Sequence, residues 1–307
     1  MPVKIFAPAL ALALLVSPFA LAGEHSAFPG DCIVVARGDG GSPVIEARIN
    51  GAGPFAFVLD TGSSGTTLDD SRIKQLGLVP DRASEQAAGM GGVVDVDLFR
   101  LRSFESGPLV ARDLIVPGLA APSFGSHDIT GLAGVDLFGR TLAIWDLGWS
   151  CIRLAPAGSR PAGRGWRSPV SKWLKPWKVL LPVRIGNAAG WGLLDTGAQK
   201  TIVSPGFARA AQLDAAIVKG RSTISGVDGR ATPLLEYEVA NARVGTWRFG
   251  RATVSVAALP VFDRLGGMDE AVAVIGMDWI ADKPFALDYG RQKMWQKSTA
   301  AKAARDR

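Results

Sequence analysis

Histidine and cysteine are nearly absent from this chain: among 307 residues stand only His25, His127, Cys32 and Cys151. A zinc site of the ordinary Cys/His kind therefore cannot be assembled, and a histidine-based triad would rest on His127, because His25 lies close to the N-terminus. His127 sits in the loop-like run Phe-Gly-Ser-His-Asp and reads as a surface residue. No G-x-S-x-G elbow, P-loop or G-x-G-x-x-G after a strand occurs. Hydrophobic residues make up 48% and charged residues 20%, a globular balance that excludes a disordered or collagenous chain. Carboxylates remain as the plentiful catalytic groups, and neither a metal nor a cofactor is expected.

Long hydrophobic runs are missing too. The apolar stretch from Ile5 to Val16 falls short of the roughly 20 residues needed to span a bilayer. It follows Lys4 and precedes Ala20-Leu21-Ala22, a small-x-small cleavage signal before Gly23. Residues 1–22 therefore read as a secretory signal peptide, and an exported protein, periplasmic or secreted and without a stable membrane anchor, is expected. In an oxidising compartment Cys32 and Cys151, both in β-like runs, are candidates for one disulfide. Gly23 to Gly41 is too short for an inhibitory prosegment, so no activating cut is expected.

The formal net charge is +6, concentrated between Arg153 and Lys178. There Arg160, Arg164, Arg167, Lys172 and Lys175 alternate with Trp166, Trp173 and Trp177. Such a stretch could touch anionic lipid or polyanion. Its density of proline and glycine marks a connection instead, a linker over 155–178. Nucleic acid is not an expected partner of an exported chain that has no nucleic-acid motif.

What the chain does have is a repeat. Phe55-Ala-Phe-Val-Leu-Asp60-Thr61-Gly62-Ser63 is matched by Trp191-Gly-Leu-Leu-Asp195-Thr196-Gly197-Ala198. Leu78 and Leu213 stand at one common offset past Asp60 and Asp195. Leu132-Ala133-Gly134-Val-Asp136 is matched by Val274-Ile275-Gly276-Met-Asp278, and Asp146 and Asp288 again share an offset beyond those glycines. Self-similarity at a period of nearly half the chain, Asp60 to Asp195 and Gly134 to Gly276, means two copies of one unit. They cover 23–154 and 179–297, with a polar tail at 298–307. Within each unit short β-branched or aromatic runs predict strands, among them Ser42–Ile49, Val93–Leu101, Val179–Ile185 and Trp247–Val256. Short helices are predicted over Asp69–Leu76 and Pro205–Gln212. The fold class is mostly β.

One Asp-Thr-Gly per unit has a chemical meaning. Two carboxylates about 3 Å apart cannot both ionise, so they share a proton and titrate as a pair. The ionised member takes a proton from a water held between them while the protonated member donates to a substrate carbonyl. The glycines let backbone approach, and the threonine hydroxyls can lock one turn against the other. Ser63 follows Gly62 and is positioned to give a hydroxyl to Asp60, whereas Ala198 cannot do so for Asp195. Asp60 is therefore expected to hold more of the charge and Asp195 more of the proton. Asp136, Asp278, Asp146, Asp288, Asp69 and Asp70 read as turn, cap or local pairing residues.

The chain resembles the aspartic peptidases of the retropepsin and pepsin kind from about Ser42 to Trp295. The resemblance rests on both Asp-Thr-Gly turns and on the apolar-apolar-Gly motif that follows each of them at a similar distance, ending at Gly134 and at Gly276. It implies a bilobal acid-protease fold, two pseudo-symmetric β-barrel-like lobes with a cleft between them. Asp60 and Asp195 would be catalytic, with Thr61, Gly62, Ser63, Thr196 and Gly197 supporting them. It also implies flaps, whose candidates are the turns around Met90 and Gly91 and around Gly226 and Val227. Two flap-like turns, neither with a tyrosine, are nearer to retropepsin units in tandem than to a pepsin. The implied activity is endopeptidase cleavage of a peptide or protein by a monomer, since one chain carries both halves. The alternative is a non-catalytic peptide-binding protein that kept the cleft. Decay of that kind removes an aspartate or its glycine, and both motifs are intact.

Overall fold

The computed structural model describes residues 32–89, 92–121, 128–175, 177–213, 218–225 and 231–298. The first unit runs β1 (Cys32–Val34), β2 (Ala36–Arg37), β3 (Pro43–Ile49), β4 (Ala52–Leu59), α1 (Asp70–Gln75), β5 (Pro80–Gly89), β6 (Gly92–Ser106), β7 (Leu109–Pro117), β8 (Ile129–Ala133), β9 (Thr141–Asp146) and β10 (Cys151–Pro156). The second runs β11 (Trp166–Arg167), β12 (Lys172–Leu174), β13 (Lys178–Ile185), β14 (Ala188–Leu194), β15 (Ile202–Val203), α2 (Pro205–Ala210), β16 (Val218–Ser225), β17 (Ala231–Val244), β18 (Trp247–Val256), α3 (Val261–Leu265), β19 (Val272–Ile275), α4 (Met277–Ile280), β20 (Phe285–Asp288) and β21 (Lys293–Lys297). The fold is mostly β, as the sequence predicts. None of the described helices is long and apolar enough to cross a membrane.

Each unit is built around one hairpin that ends at its aspartate. In the first, Asn50 and Gly51 both have positive φ, 52° and 83°. That is the turn chemistry that matches strand twist in a two-residue hairpin, and it pairs Ile49 with Ala52. β4 then lies parallel to β8, Leu59 beside Ala133, and β14 lies parallel to β19, Leu194 beside Ile275. The apolar runs before Gly134 and Gly276 are thus buried strands, β8 at the end of its sheet and β19 between β14 and β15. Short apolar runs without alternation are what strands covered on both faces require.

Short helices close each turn. Asp69 caps α1 by accepting from the Ser71 N–H at 2.8 Å, and Ser204 caps α2 by accepting from the Phe207 N–H at 3.0 Å, with Pro205 in the first turn. The long hairpins β5–β6, with Gly89 opposite Gly92, and β16–β17, with Ser225 opposite Ala231, stand where flaps are expected. The expected tip residues Met90, Gly91, Gly226 and Val227 lie outside the described residues, as do His127 and residues 1–22.

A six-stranded sheet joins the units in the order β1-β10-β9-β20-β21-β11. It takes three strands from each, and they meet where β9 and β20 pair antiparallel, Trp145 opposite Phe285. Those two rings stack with centroids 5.3 Å apart, and Phe138 stacks on Tyr289 at 5.3 Å. One buried cluster consequently runs through both units. β11 and β12 lie inside the stretch 155–178 that composition marks as a linker. They pair with β21 and β13 as β1 and β2 pair with β10 and β3, so this stretch supplies the opening strands of the second unit. Cys32 and Cys151 form a disulfide that ties β1 to β10 across a sequence separation of 119.

Candidate active site

Asp60 and Asp195 follow directly on β4 and β14, and the two turns they open face each other. Thr61 donates its hydroxyl to the Leu194 carbonyl at 2.8 Å, and Thr196 donates its hydroxyl to the Leu59 carbonyl at 2.7 Å. Each hydroxyl also accepts the other threonine's N–H, at 3.0 and 3.1 Å. Both side chains are buried, at 2% and 0% exposure. Every hydroxyl thus donates once and accepts once across the pseudo-two-fold axis, and this lock holds the turns in register.

The glycines serve the same closure. A Cβ on Gly62 would sit 2.5 Å from an Asp195 carboxylate oxygen, and a Cβ on Gly197 would sit 2.5 Å from the Asp60 carboxyl carbon. Within its own turn each aspartate is held by two backbone donors. Asp60 Oδ1 accepts from the Gly62 and Ser63 N–H groups at 2.7 and 3.0 Å. Asp195 Oδ1 accepts from Gly197 and Ala198, both at 2.9 Å.

The two carboxyl groups thus face each other across the paired turns. Burial pushes both above the ordinary carboxylate value, and the nearby charge of Asp60 pushes Asp195 further. For Asp60, burial is opposed by the neighbouring Asp195 carboxyl, the Gly62 N–H, Lys178 and the Ser63 N–H. Of the two, Asp195 is the more strongly raised. The expected cause is corrected: the Ser63 hydroxyl donates to the Gly65 carbonyl at 2.8 Å, and only its backbone N–H reaches Asp60.

A second layer repeats in both units. Thr66 gives its N–H and its hydroxyl to the Asp136 carboxylate, both at 2.9 Å, and accepts the Gly134 N–H at 3.2 Å. Thr201 gives its hydroxyl to Asp278 at 2.7 Å and accepts the Gly276 N–H at 3.1 Å. A Cβ on either glycine would strike the loop backbone at 2.5 Å, Gly65 in one unit and Lys200 in the other. This close approach is why the distal motif ends in glycine. Burial raises Asp136 to about 6 and raises Asp278 in the same direction.

Thr66 and Thr201 stand at matching places past the two aspartates in the repeat, which marks them without giving them a role. Lys178, expected in the connection, opens β13 within electrostatic reach of both aspartates.

The units also differ. Lys200, in the second turn, donates to Ser222 of β16 at 2.9 Å and pairs with Glu236 of β17. Lys200 and Ser222 hold the Glu236 carboxyl below its usual range. Lys200, Glu236, Gly40, Gln199, Thr253, Ser255 and Asp278 line a cavity of about 330 Å³. The matching position in the first unit is Gly65, which carries no side chain for such a tie.

A family model described as aspartyl protease matches the chain twice, over residues 45–137 and 181–279. The chain belongs to the aspartyl protease family, with two family units in tandem. No curated protein matches it.

Proposed function

We propose that the protein is an aspartic endopeptidase in which Asp60 and Asp195 act as one acid–base pair. The observation that carries this reading is the placing of the two carboxyl groups face to face, each against the other turn's glycine and held by the interlocked threonines. A water between the carboxyl groups loses a proton to the Asp60 carboxylate and attacks the scissile carbonyl carbon, while Asp195 gives its proton to the carbonyl oxygen. The tetrahedral diol then collapses. Asp60 returns its proton to the amide nitrogen, the C–N bond breaks, and Asp195 recovers a proton from the diol hydroxyl. No group on the enzyme is consumed.

In this reading the chain is exported by residues 1–22 and works as a monomer on peptide or protein substrates. The test is cleavage of a mixed peptide library between pH 3 and 8, with D60N and D195N alongside. Each substitution should lower the rate on the order of 10³-fold or more. Folded protein that cleaves nothing would return the peptide-binding alternative, and cleavage that survives both substitutions would refute the reading.

A further inference from the structure

One cation stands beside the dyad from outside its loops. β13 opens at Lys178 and pairs with β14 from Leu180 opposite Leu193, so Lys178 stands at the end of the strand pair that leads into Asp195. β3 pairs with β4 from Val44 opposite Val58, so Ser42, just before β3, stands at the end of the strand pair that leads into Asp60. At these matching places the first unit has a serine and the second a lysine.

Ser42 is fully buried, and its hydroxyl has no partner among the described residues. Lys178 is half-buried, and its ammonium makes no hydrogen bond or ion pair among the described residues. The charges that act on Lys178 are Asp60 and Asp195 from the two turns and Arg264 from α3. A partly buried ammonium whose only anions among the described residues are the two catalytic carboxyls has no separate structural pair to serve.

We propose that Lys178 is a positioning residue of the reaction: its ammonium, presented by β13, stabilises the negative charge of the dyad on Asp60 and sets the pH window of cleavage. The inference rests on the acid–base reading of Asp60 and Asp195. Burial and Arg264 disfavour the ammonium and the two aspartates favour it, leaving it below the ordinary lysine range. It remains charged in the acidic range where the pair holds one proton. A fixed cation eases the loss of both dyad protons, so it moves both limbs of the pH–rate profile downward. It also supplies the asymmetry that the Ser63 hydroxyl does not, because Asp60 is the carboxyl on which its attraction registers most.

The test compares wild type, K178M and K178R by the pH dependence of kcat/KM and by carboxyl titration of the folded proteins with ¹³C-labelled aspartate. Methionine keeps the length of the side chain and loses its charge. In K178M both limbs, and both dyad titrations, should move up by on the order of one pH unit. K178R should stay close to wild type. A K178M profile and titration that coincide with wild type, in an enzyme that D60N silences, overturn the role of Lys178 and leave the dyad standing. Wild-type cleavage indifferent to D60N and D195N refutes the dyad, and Lys178 loses its role with it. If K178M is poorly folded by thermal melting, K178Q takes its place under the same two readouts.

Discussion

At the scale of single residues the site is governed by what each atom can reach. Gly62 and Gly197 stand against the opposite carboxylate, so G62A or G197A must push the dyad apart. We expect either to cut kcat at least about a hundredfold, as misplacement of a reacting group by ~1 Å does, while circular dichroism stays near wild type. Asp136 makes a different prediction, about stability. Its folded value of about 6 lies above the ordinary 3.8, so the fold favours the protonated form. That contribution is complete below 3.8 and is lost as pH rises towards about 6. Unfolding free energies from denaturant titration should show D136N gaining on wild type through this window, by about 3 kcal/mol in all. The two curves should run parallel above it. A constant difference at every pH would mean that Asp136 is charged in the fold without cost.

At the scale of elements, much of the architecture was legible, and the reasons are local. The strands predicted from Ser42, Val93, Val179 and Trp247 are found within a residue or within longer strands, because apolar, β-branched runs bounded by turn residues have few other conformations. α1 and α2 follow from their caps. β11 and β12 were hidden because their pairing partners, β21 and β13, lie far along the chain or across a break-rich turn, and strands so short carry no periodicity. Lys178 was hidden for the same reason: its place at the start of β13, within electrostatic reach of both aspartates, comes from strand pairing and not from spacing along the sequence. The Ser63 hydroxyl was misjudged because a nearer carbonyl, that of Gly65, competes for it. The tie between β1 and β10 yields a further prediction. A crosslink across a sequence separation of 119 stabilises by restricting the unfolded chain, by roughly 4 to 5 kcal/mol in the loop-entropy account. Reduction, or the C32S/C151S pair, should lower the melting temperature while the dyad still supports cleavage at low temperature. An unchanged melting temperature would show that the bridge constrains little.

At the scale of the whole molecule, the six-stranded sheet decides whether two units make one enzyme. β9 and β20 meet on the pseudo-two-fold axis, and the stacked Trp145 and Phe285 are buried there, both at 0% exposure. W145A should cost about 3 to 5 kcal/mol and, by loosening the junction, reduce kcat more than it raises KM. Unfolding followed by tryptophan fluorescence and by activity should remain one coincident transition in wild type, since a single core cluster runs through both units. Light scattering should give the mass of one chain, because both aspartates and both locking threonines are already in it.

The most direct test of the account is a double-substitution cycle at the dyad: kcat/KM of D60N, D195N and D60N/D195N on one good peptide substrate. Two carboxyls that share one proton act as a unit. Either single substitution should then abolish most of the rate, and the double variant should be no slower than the singles. Independent effects that multiply in the double variant, or a single variant close to wild type, would contradict the claim that Asp60 and Asp195 are one catalytic group.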